Sequence, residues 1–140
     1  MMNMAGIVRN RSGSAAVEFA IVAPVFILVL LTMIAYGIYL TAAYAVQQVA
    51  ADAARTAVAG INKTERETLA KNFVDKSALN YAFLDKKRVN VSVGSDPVNV
   101  NQFTVTIEYD ATELPIWSLY SFALPDKTIR RFSTIRIGGI

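Results

Sequence analysis

Few side chains in this sequence could carry chemistry. The chain has 140 residues and contains neither cysteine nor histidine. That absence excludes disulfides, thiolate nucleophiles, cysteine-ligated metal centres, Ser–His–Asp triads and imidazole ligands. Acid–base work would fall to Asp, Glu, Lys or Tyr. The acidic pairs Glu65/Glu67 and Glu108/Asp110 lie in segments that read as solvent-facing. The seven glycines form no phosphate- or dinucleotide-binding motif, and no EF-hand calcium loop is present. Lys86-Lys87-Arg88 reads as a solvated turn, because no wider basic surface accompanies it. The expectation is a chain that is not an enzyme, with no cofactor, metal, nucleic acid or small-molecule substrate. One ionisable group stands apart: Glu18, alone at the edge of a long apolar run.

That run is the element that must position Glu18. From Phe19 to Val46 there is no formal charge, and as a helix it would reach about 42 Å at ~1.5 Å per residue. A bilayer core of roughly 30 Å needs about 20 helical residues. A buried helix of a soluble protein rarely lacks charge on every face for this long. A cleaved secretory signal has a shorter apolar region, and the small-residue triplet Ala57-Val58-Ala59 lies too far downstream. The run therefore reads as a membrane span, which explains much of a composition that is 54% hydrophobic and only 18% charged. Arg9 and Arg11 precede it, and Asp52 is the first charge after it. Positive flanks stay cytoplasmic, so the N-terminus is expected inside and the chain from about residue 50 outside. Tyr36, Tyr39 and Tyr44 then fall toward the outer interface, where aromatic rings are enriched.

A carboxylate so near the hydrocarbon is costly. Glu18 read alone is a headgroup-level residue favoured by the helix N-terminal dipole. Its surroundings are more specific. The segment Arg11-Ser12-Gly13-Ser14-Ala15-Ala16-Val17-Glu18-Phe19-Ala20 leads into Pro24. Gly13 followed five residues later by Glu18 and then Phe19 resembles the type IV prepilin cleavage motif. The longer string resembles the TadE-like family of minor pseudopilins of the tight adherence (Tad, or Flp) pilus system, from about Arg11 to Gly60.

The resemblance implies a role for each matched residue. A prepilin peptidase would cut after Gly13 and leave Ser14 as the new N-terminus. Arg9 and Arg11 would hold the leader at the cytoplasmic face. Glu18, with Phe19 beside it, would pair with the Ser14 amine of a neighbouring subunit or its own. Pro24 removes the hydrogen bond to the Ala20 carbonyl. It is either a mild kink without function or a weak point that lets the helix bend on leaving the bilayer. Implied partners are the peptidase, other pilin and pseudopilin subunits, pilus-assembly membrane proteins and the lipid bilayer. The implied location is the bacterial cytoplasmic membrane, single pass, with incorporation in the surface pilus left open. An uncleaved single-pass protein whose outer domain scaffolds a secretion or assembly machine is the alternative.

Beyond the span the expected fold is α+β, a pilin-like lollipop in three parts: a leader (1–13), one transmembrane and extended alanine-rich helix (14–60), and a small extracytoplasmic domain (61–140). Ala50/Ala54 and Ala53/Ala57 permit close helix approach. They suit either packing in an assembly or packing on the protein's own sheet. Thr64 and Glu67 read as a capping box opening a second helix to about Phe83. Leu69, Phe73, Val74, Leu79 and Phe83 would form its apolar stripe. Alternation of Val89, Val91 and Val93, and of Phe103, Val105, Ile107 and Tyr109, predicts two strands. A third runs from about Thr128 to Ile137, its alternation broken at Arg130-Arg131-Phe132 in the manner of a bulge. The three form an antiparallel sheet with one face on helices. The uncharged segment Leu114–Pro125 either closes the core or offers an apolar patch (Trp117, Tyr120, Phe122) to a partner or the outer leaflet.

Overall fold

The computed structural model describes residues 11–77, 81, 83–119 and 124–138. Helix α1 spans Arg11–Ala57, 47 residues in one piece, or about 70 Å at ~1.5 Å per residue. Pro24 lies inside it without ending it. Thr32 and Thr41 donate their hydroxyls to the carbonyls of Leu28 and Gly37, both at 2.8 Å, so neither leaves a polar group unmet on the apolar surface.

The two halves of α1 have different surroundings. No residue from 13 to 34 is buried. From Ala35 onward, a stripe including Ala42, Val46, Val49, Ala50, Ala53, Ala54 and Ala57 is almost wholly buried. These positions recur at helical spacing, and alanine lets a sheet approach the helix backbone closely. The alanine pairs singled out above thus face the chain's own domain.

Helix α2 (Lys63–Ser77) folds back beside α1 and buries Ala70 and Val74. Its start differs from the expected capping box. The Asn62 side chain accepts the Glu65 N–H at 2.9 Å, and Glu65 reaches back to the Ile61 N–H at 2.9 Å. The cap sits two residues early because Asn62 is the better N-cap and Glu65 then falls at its third helical position. The helix is described only to Ser77, and Phe83 has a left-handed backbone (φ 65°) incompatible with helix at that residue. Leu79 lies outside the described residues.

Strands β1 (Val89–Ser95), β2 (Gln102–Asp110) and β3 (Thr128–Arg136) form an antiparallel sheet in the order β1-β2-β3. The α+β architecture is therefore as the alternation predicts. The expected bulge in β3 is not there: Ile107 pairs with Arg131 and Thr106 with Phe132 in unbroken register. Alternation fails in sequence because Phe132 stands on the outer face, 63% exposed, while Arg131 occupies the helix side. The central strand supplies the core, with Phe103, Val105, Ile107 and Tyr109 buried over α1.

Short 3₁₀ turns (Lys86–Arg88 and Ala111–Glu113) and the single-turn helix α3 (Ile116–Leu119) close the domain at the end where α1 departs. Leu114 and Ile116 are buried there, and α3 packs against α1.

Candidate processing and assembly segment

The N-terminal segment is built on the free half of α1. Gly13 and Ser14 lie in its first turns, so the Gly13–Ser14 bond is helical rather than preceding the helix. Glycine costs about 1 kcal/mol in a helix relative to alanine. A Cβ placed on Gly13 would meet no atom within 4 Å. Among the described residues, no neighbour requires glycine at this position.

Ser14 and Glu18 are one helical turn apart on the same face, and the Ser14 hydroxyl donates to Glu18 Oε1 at 3.4 Å. Both side chains are exposed, and Phe19 is 73% exposed. Apolar side chains surround the helix on every face as far as Ile34, with Pro24 among them. Arg9 lies outside the described residues. Arg11 is in α1, but its side chain is not among those described. The segment from Gly13 to Ile34, none of it buried, would measure about 33 Å at ~1.5 Å per residue, of which the charge-free part from Phe19 makes up about 24 Å, against the roughly 30 Å of a bilayer core.

The second group of candidate residues is separated from the first by the bare helix. Trp117 is half-buried, and its indole N–H donates to the Ala111 carbonyl at 2.7 Å. Tyr120 and Phe122 lie outside the described residues. Trp117 thus has a part in closing the core, through a bond that ties α3 to the end of β2.

The acidic pairs have structural partners. Glu65 caps α2. Glu67 accepts from Lys71 at 2.8 Å, which holds its carboxyl below the usual range. Glu108 pairs with Arg130 at 3.4 Å. Asp110 accepts from the Thr112 hydroxyl and N–H, and these bonds, aided by Arg88, lower its pKa. Sequence reasoning missed Asp52. Its carboxylate accepts from the Tyr81 hydroxyl at 3.0 Å and also pairs with Arg55, joining α1 to the segment after α2. No local pattern reveals that pairing, since Asp52 and Tyr81 meet only in the fold.

A family model described as TadE-like protein matches residues 13–55. The match starts at the proposed cleavage residue and ends two residues before the end of α1. It covers both halves of the helix and none of the sheet. It bears out the resemblance to the TadE-like family over this helix, which suggests a component associated with a Tad pilus. No curated protein and no solved structure matches.

Proposed function

Proceeding from that match, we propose that the chain is a minor pseudopilin, a structural component in the assembly of a Tad-type pilus. A prepilin peptidase cuts it after Gly13, and it then packs through its apolar helix against other pilin or pseudopilin subunits and pilus-assembly membrane proteins. The observation that carries this reading is one arrangement. Gly13, Ser14, Glu18 and Phe19 stand in prepilin-like spacing at the head of a helix whose apolar surface is left uncovered by the described residues. A glycine without a packing reason suits a position read by a protease. A carboxylate one turn from the future amine suits a pair that enters a low-dielectric bundle together, since pairing offsets much of the cost of burying either charge. The N-terminus is cytoplasmic, held by Arg9 and Arg11, and the sheet domain is extracytoplasmic. The work of such a protein is structural, not enzymatic.

N-terminal sequencing or intact mass of the protein from cells with active peptidase tests the reading. Ser14 as first residue is the expected result. A persistent Met1 terminus in those cells overturns it in favour of an uncleaved single-pass scaffold.

A further inference from the structure

We propose that α3 and residues 124–127 rest in the headgroup region of the same bilayer that α1 spans, with Trp117 and Leu119 inserted. This inference rests on the reading of α1 as a membrane span. Three observations support it.

The first is the level at which this segment sits. Ala35 is the first fully buried residue of α1, and the bare apolar stretch lies on its N-terminal side. The Tyr39 hydroxyl donates to the Asp126 carbonyl at 3.3 Å. Side chains on a helix lean toward its N-terminus, so this bond holds residues 124–127 near the turn of α1 around residue 35. The Ala111 N–H donates to the Lys127 carbonyl at 2.7 Å, and Trp117 is bonded to Ala111. Both α3 and residues 124–127 are therefore fixed at the pole where the bare helix begins.

The second is its chemistry. Trp117 is only partly buried although its N–H is satisfied, and Leu119 is 44% exposed. Leu124 and Pro125 line a shallow pocket beside Trp117. The Lys127 ammonium stands 5.5 Å from the centre of the Trp117 ring. An aromatic ring, an exposed leucine and a lysine able to extend its charge into water form the side-chain set favoured at a membrane interface.

The third is charge. Lys86, Lys87 and Lys127 are exposed near this pole, as are Asp85 and Asp126, while Arg88 is paired with Asp110 and Glu113. With the signs so mixed, apolar insertion rather than attraction to anionic lipid holds the contact, and a zwitterionic surface suffices.

Trp117 is the chain's single tryptophan, so its fluorescence reports this contact directly. The full chain is reconstituted into phosphatidylcholine vesicles carrying bromine either near the headgroup or near the acyl-chain end, and flotation checks membrane association. Flotation with Trp117 quenched more strongly by the shallow bromine, and little changed by salt, is the expected result. Leu119→Glu, with folding checked by circular dichroism, should weaken the shallow quenching by about twofold or more, because an inserted leucine becomes a charge. Flotation with no bromine quenching and free access of aqueous acrylamide overturns this inference alone. So does quenching strongest from the deep bromine. A chain that fails to float overturns the membrane reading itself.

Discussion

At the scale of the residue, Gly13 and Gly60 show two different reasons for a glycine. Gly60 is buried at the corner between α1 and α2, where a Cβ would stand 2.7 Å from the Arg66 amide nitrogen and 3.0 Å from its Cα. Arg66 in turn donates to the Gly60 carbonyl at 3.0 Å and lies 5.0 Å from the centre of the Phe103 ring. The neighbour that would have to move is backbone, so Gly60→Ala is expected to cost about 1–3 kcal/mol, as overpacking does. Denaturant unfolding followed by circular dichroism measures it. Gly13 has no such neighbour, and its replacement by a bulky residue should leave folding intact while blocking maturation, read as accumulation of the uncut chain. Glu18→Ala should insert and mature yet fail to enter assembled pili. Normal recovery of that variant in purified pili would sink the pairing role.

At the scale of the element, α1 and α2 carry signals that sequence reading placed correctly in kind but not always in position, whereas the single turn of α3 was not expected as a helix. The N-cap of α2 is Asn62, not Thr64. Asn62→Ala should therefore cost about 1 kcal/mol, and Thr64→Ala markedly less; thermal unfolding of the two variants distinguishes the caps. The alanine stripe of α1 is explained by what it faces. Ala50, Ala53, Ala54 and Ala57 are all fully buried within the domain. Ala53→Leu should destabilise by about 1–3 kcal/mol through overpacking, whereas Gln48→Leu, on the exposed side of the same helix, should be nearly neutral. Equal tolerance of the two substitutions would contradict the close packing of sheet on helix. Strand β3 shows the limit of period-two reading: pairing with β2 is regular, and the pattern is obscured by an outward Phe132 and by inward Arg131 and Ser133.

At the scale of the whole molecule, the domain begins inside the apolar run. The run continues to Val46, yet the core starts at Ala35, and Tyr44 is 71% exposed beside the sheet. Single cysteines can be placed in this cysteine-free chain. In vesicles, Tyr44→Cys is expected to react with an aqueous maleimide and Ile27→Cys to stay protected. Protection of both would extend the membrane past the start of the core. Acid should loosen the base of the domain, where Asp110 meets Thr112 and Arg88. Its folded pKa lies below the ordinary 3.8. The unfolded chain therefore binds the proton first, and the stabilisation present above that value is lost as pH falls through the lower folded one. Asp110→Asn should flatten this acid limb in a pH series of unfolding midpoints. At the alkaline end, burial raises the Tyr109 pKa above 10, so stability should decline as pH rises past 10.

The apolar run, the Gly13–Glu18 spacing, the resemblance it carries and the three strands are legible in the chain alone. Each is a local pattern whose physics acts over a few turns of chain: hydrophobic length, helical or alternating period, and charge at an edge. The fold shows where the protein's own core begins along the apolar run, because only the docked sheet shows which uncharged residues of α1 have protein over them and which have none among the described residues. It decided that the alanine pairs face inward, that Asp52 binds Tyr81, and that Trp117 stands at the same level as the start of the bare helix. Those facts depend on residues far apart in the chain, and no local period records them.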